Sequence, residues 1–73
     1  MKRITKTSDR IKESLRINSM RQVDLVKKTG INKSSISLYI AGGYEPKHEN
    51  LMKMADALNV NENWLYGYDV AMK

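Results

Sequence analysis

The chain has 73 residues and no cysteine, which limits it to one small domain and excludes both disulfide staples and a thiolate metal site. Its 41% apolar and 29% charged residues describe a folded, soluble protein, and one proline with four glycines favours helices over a turn-rich sheet. The net charge of +5 is unevenly spread: residues 1–35 carry +7 and residues 36–73 carry −2, a basic half that suits a polyanion such as nucleic acid or simply forms a solvated lysine-rich face.

Residues 1–7 form a basic arm with Lys2, Arg3 and Lys6, suited to lying along a phosphate backbone or entering a groove, or else merely free in solvent. No apolar run of signal-peptide or membrane-spanning length follows, so we expect a cytoplasmic protein with no membrane partner. Ser8 is suited to cap a first helix, Asp9 complements its dipole, and Ile11 with Leu15 makes a narrow apolar stripe ending near Asn18. Arg10, Lys12 and Arg16 are expected to project from it, where phosphate contact and plain solvation compete as explanations.

Ser19 followed by Gln22 resembles a capping box and predicts a second helix from Met20 or Arg21 to Lys28 or Thr29, with Val23, Leu25 and Val26 as its apolar face. Gly30 is the natural left-handed stop, Ile31 returns to the core, and Asn32 caps a third helix from about Lys33 to Ala41. That helix is rich in serine and β-branched residues, so tertiary packing must hold it. Ile36, Tyr39 and Ile40 point inward at helical spacing and leave Lys33, Ser34, Ser37 and Leu38 outward. Gly42 and Gly43 end the helix, and a loop through Pro46 leads to a fourth helix with Leu51, Met54, Ala55 and Leu58 on one face, closed by Asn59. Val60, a cap at Asn61 and Leu65 have the spacing of a hydrophobic staple for a short fifth helix ending by Gly67.

A helix, a glycine turn and a second helix at this spacing match helix-turn-helix geometry. The second helix protrudes into a major groove about 12 Å wide while the first braces it across the backbone. Gly30, at the ninth position of the motif, and Ile36, six further on, set the angle.

Gln22, Leu25, Gly30, the run SSISLYIAGG, Pro46, LMKMADALNV and NENWLYGYD together resemble the helix-turn-helix domain of the lambdoid phage repressor and Cro superfamily, also named for xenobiotic response elements. The resemblance implies an all-α, compact five-helix domain over residues 8–69, with residues 70–73 a tail or the start of a linker. It further implies sequence-specific binding of double-stranded operator DNA by a phage or prophage-type repressor, as a weak homodimer that is two-fold on DNA. By position, Lys33, Ser34, Ser37 and Leu38 match base-reading residues, and Arg21, Gln22, Asn32, Ser35, Gly43, Tyr44 and Lys47 match positions near the DNA backbone. Val26 stands where the family prefers alanine, Arg21 where it prefers Ser or Thr, and Ala41 where it prefers asparagine.

Tyr66 and Tyr68 are candidates for a dimer patch, and they motivate an alternative function: a protein-interaction module of the same fold, such as an antitoxin or an antirepressor target. His48 lacks a second ligand for zinc, and the pairs Asp9 with Glu13 and Glu45 with Glu49 lack a nucleophile, so no cofactor, metal or catalysis is expected.

Overall fold

The computed structural model describes residues 2–73 and consists of five helices: α1 (Thr7–Ile17), α2 (Gln22–Thr29), α3 (Lys33–Ala41), α4 (His48–Leu58) and α5 (Glu62–Tyr66). The end of α2 and the starts of α3 and α5 follow local signals. Asn32 Oδ1 accepts from the Ser34 and Ser35 amides, and Asn61 Oδ1 does the same for Asn63 and Trp64, satisfying donors that helix N-termini leave free. Gly30 closes α2 at φ 72°, a left-handed conformation that costs a glycine little and any other residue about 1–2 kcal/mol.

Two boundaries differ from the sequence expectation. Helix α1 opens two residues earlier, with Lys6 at the cap position, and Ser8 is buried within its first turn. Ser19 does not start α2. It sits at φ 53° as the left-handed residue ending α1, where its own amide donates to Arg16 O and the Met20 amide to Leu15 O. That paired pattern is the Schellman motif, built on a serine where glycine is usual. The capping role passes to Arg21, whose amide donates to Asp24 Oδ2 at 2.9 Å.

The core lies where α1 meets α3 and α5, and α4 packs against α2 and α5. Ile11, Leu25, Ile36, Met54, Leu58 and Leu65 are fully buried, each contributing about 1.5–3 kcal/mol relative to exposure. All four residues expected on the inner face of α4 are buried, as are Ile31, Trp64 and Leu65. Ile40 and Val60 are half-buried against this core.

Both ends of the chain fold back onto the body. An antiparallel bridge joins Arg3 to Tyr68, the Ile4 amide donates to Gly67 O at 2.8 Å, and the Asn61 amide donates to Met72 O at 2.7 Å. Val70 and Met72 pack against the core, so residues 70–73 run along the domain where the sequence pattern reads as a tail. Gly67 makes the crossing possible: at φ 114° its α-carbon lies so close to the Thr5 carbonyl that any Cβ would collide with it. Of the basic arm, Met1 lies outside the described residues. Among the described residues no helix is long and apolar enough to cross a membrane.

Candidate nucleic-acid interface

Helix α3 has two faces of different chemistry. Ile36 and Tyr39 are buried, and the Tyr39 hydroxyl accepts from Asn50 Nδ2 at 2.9 Å, which ties α3 to α4 and makes Tyr39 structural. On the opposite face Lys33, Ser34, Ser37 and Leu38 are all exposed, Leu38 by 50%. Leaving half of a leucine in water contributes nothing to folding. The helix carries no acidic residue, so this face presents short polar groups, one lysine and one apolar contact to whatever approaches it.

Helix α2 is bonded to α3. The Gln22 side-chain amide donates to the Ser37 hydroxyl across the turn, fixing Ser37 relative to the start of α2. Gln22 thereby supports a late residue of α3. Asn32 uses its side-chain oxygen as the α3 cap, leaving its NH2 group outward, and Ser35 is half-buried behind it. Arg21 is 82% exposed at the N-terminus of α2. Beyond α3, Gly43, Tyr44 and Lys47 are exposed in the loop, and Tyr44 stacks on Tyr39 with centroids 6.1 Å apart, which holds the loop against the helix.

Two arginines have internal partners. Arg10 does not project into solvent: it is 8% exposed, its guanidinium lies 4.3 Å from the centroid of the Trp64 ring, and Nη1 donates to Trp64 O at 3.0 Å. An arginine that stacks on a tryptophan and satisfies a carbonyl at the end of a short helix is a packing residue. Arg3 donates through Nε to Tyr66 O at 2.9 Å, pairs with Glu45, and stacks 4.3 Å from the Tyr66 centroid. Lys2, Lys6, Lys12 and Arg16 remain exposed. Tyr66 and Tyr68 are both half-buried with ring centroids 5.1 Å apart, and Tyr66 lies beneath Arg3.

Sequence reasoning misassigned Val23. Expected on the inner face of α2 with Leu25 and Val26, it is 46% exposed, while Leu25 is fully buried and Val26 is half-buried. The signal was available, because positions i and i+2 lie on nearly opposite sides of a helix and cannot share a face. Val23 and Val26 instead form one wall of a groove of about 470 Å³, completed by Gln22, Lys33 and Ser37.

A family model described as Helix-turn-helix matches residues 11–65. The chain is 34% identical over 58 residues to an HTH-type transcriptional regulator for conjugative element R391 of Providencia rettgeri, a match covering 80% of this chain and 26% of that protein. It is also 39% identical over 46 residues to the type II methyltransferase M.Sau96I of Staphylococcus aureus, across 63% of this chain and 11% of that enzyme. The chain thus spans about a quarter or less of these relatives. The solution structure of the DNA-binding domain of the P22 c2 repressor superposes with a TM-score of 0.82 at 26% identity, covering 100% of this chain and 95% of that one. The crystal structure of the P22 c2 repressor in complex with a synthetic operator gives 0.76 at 27% identity, over 85% and 94% of the two chains. With the family match spanning most of its length, the chain belongs to the helix-turn-helix family and folds as a lambda-repressor-like domain.

Proposed function

We propose that the chain is the sequence-specific, double-stranded DNA-binding domain of a transcriptional repressor of phage or mobile-element type, acting in the bacterial cytoplasm. The observation that carries this reading is the outer face of α3, where Lys33, Ser34, Ser37 and Leu38 stand exposed on a helix anchored by Ile36 and Tyr39. Inserted in a major groove, Lys33 can donate to guanine O6 and N7, the serines can serve several bases, and Leu38 can contact a thymine methyl. Arg21, Gln22, Asn32, Ser35, Gly43, Tyr44 and Lys47 border that face and would lie near phosphates, with Lys2 and Lys6 as further cationic contacts. The reading draws support from the operator-bound P22 c2 repressor, which shares this fold. It needs no catalytic group.

Selecting bound sequences from a random duplex pool tests this directly. Two half-sites about 34 Å apart are expected if the domain binds as a two-fold dimer. Lys33→Ala and Ser34→Ala should each reduce discrimination by about 1–3 kcal/mol at one position. Unchanged affinity of both variants for the selected site and for random DNA would refute the assignment of the reading face.

A second reading, docking of a partner protein such as an antirepressor or toxin, or of a second copy, draws on a cleft of about 240 Å³ lined by Pro46, His48, Leu51, Glu62, Asn63, Tyr66 and Tyr68. Sedimentation at micromolar concentration, with and without DNA, separates self-association on this surface from assembly on an operator.

A further inference from the structure

The groove between α2 and α3 has a composition that the outer face of α3 alone does not explain. Val23 and Val26 give it an apolar wall, Lys33 closes one end, and Gln22 holds the Ser37 hydroxyl at its rim. Val23 is too exposed to be a core residue, and a β-branched side chain there adds nothing to helix propensity. The apolar wall is continuous with the face proposed to enter the major groove, and the cation of Lys33 lines the same groove. A purely apolar occupant would leave Lys33 unmatched. The occupant that fits is an apolar group carried on a polyanion.

The major groove offers one such group, the C5 methyl of thymine, with the O4 acceptor on the adjacent ring carbon. We propose, resting on the reading of α3 as the recognition helix, that Val23 and Val26 seat a thymine C5 methyl and that Ser37 donates its hydroxyl proton to O4 of the same base. The bond from Gln22 makes this possible: by donating to Ser37 Oγ, the amide occupies an acceptor site and leaves the O–H free as a donor. Cytosine fails on both counts, because it lacks the methyl and presents an N4 amine where O4 would be. The bracing helix then reads sequence as well as steadying its partner.

The test starts from the duplex selected by the full 73-residue chain and replaces each thymine, one at a time, with deoxyuridine or 5-methylcytosine. Deoxyuridine removes only the methyl; 5-methylcytosine, placed with guanine replacing the paired adenine, keeps the methyl and puts the amine where O4 was. At one thymine per half-site, deoxyuridine should weaken binding about fourfold, the worth of one buried methyl. That penalty should shrink in Val23→Ala and persist in Ser37→Ala, while the 5-methylcytosine penalty should shrink in Ser37→Ala and persist in Val23→Ala. Val23→Thr, nearly isosteric, controls for packing, and circular dichroism verifies that each variant is folded. A deoxyuridine penalty of equal size in the wild type and Val23→Ala would overturn the methyl contact and leave the DNA-binding reading intact. Val23→Ala that alters self-association and not methyl sensitivity would overturn it in favour of a second copy on this groove. Absence of duplex binding by the wild type at low salt would overturn both readings.

Discussion

Arg3 and Glu45, separated by 42 positions, meet through a guanidinium nitrogen that donates to both carboxylate oxygens at 2.8 and 2.9 Å. The contact joins the N-terminal arm to the loop that follows α3. Because the side chains are 33% and 53% exposed, the ion pair by itself is worth at most about 1 kcal/mol. Its other bonds, to Tyr66 O and over the Tyr66 ring, make Arg3 a clasp that closes the chain ends over α5.

Arg3→Ala should therefore cost about 1–2 kcal/mol of stability. It should also raise the hydrogen-exchange rate of the Ile4 amide, which bonds Gly67 beneath the clasp. The slope of DNA affinity against salt should stay as in the wild type. A slope shallower by about one unit would instead assign Arg3 to a phosphate.

The two glycines with the clearest conformational roles should respond differently to alanine. At Gly30 an added Cβ meets open space and only the left-handed backbone is penalised, by about 1–2 kcal/mol. At Gly67 the same penalty is joined by a collision with the Thr5 carbonyl, so the loss should exceed that of Gly30→Ala and separate the arm from the body. Urea melts of the two variants give the order, and equal losses would contradict the close crossing at Gly67.

Ser19→Gly should stabilise the domain by about 1 kcal/mol, because Ser19 holds φ 53° in a Schellman turn where glycine is free of strain. Thermal unfolding should show a rise of several degrees for a domain of this size. No rise would mean that the serine side chain compensates its own backbone cost.

Arg10→Ala removes a cation stacked on Trp64 and one of the two donors to the Trp64 carbonyl, which keeps the Gly67 amide, for an expected loss of about 2 kcal/mol. Tryptophan fluorescence should shift as the ring loses its cover. Operator affinity of the folded variant should match the wild type, whereas a phosphate-contacting arginine would weaken binding to every sequence.

Much of the fold was legible because its signals are local. Gly30, Asn32, Asn59 and Asn61 each act within three or four residues, through a left-handed turn or a capped amide, and a linear reading sees that range. The outward set on α3 was legible for the same reason, since Ile36 and Tyr39 define its opposite face by periodicity alone. Tertiary structure decided what charge and flexibility leave open. Nothing local distinguishes Arg10, which stacks on Trp64, from Lys12, which faces solvent, because an arginine is buried only where a distant ring and carbonyl receive it. The arm is ordered through Glu45, Tyr66 and Gly67, all remote in sequence, and Val23 gains its meaning from Lys33 and Ser37 across the turn. Sequence alone determined the helices and the outward face of α3; packing determined which cations stay exposed and what lies beside that face.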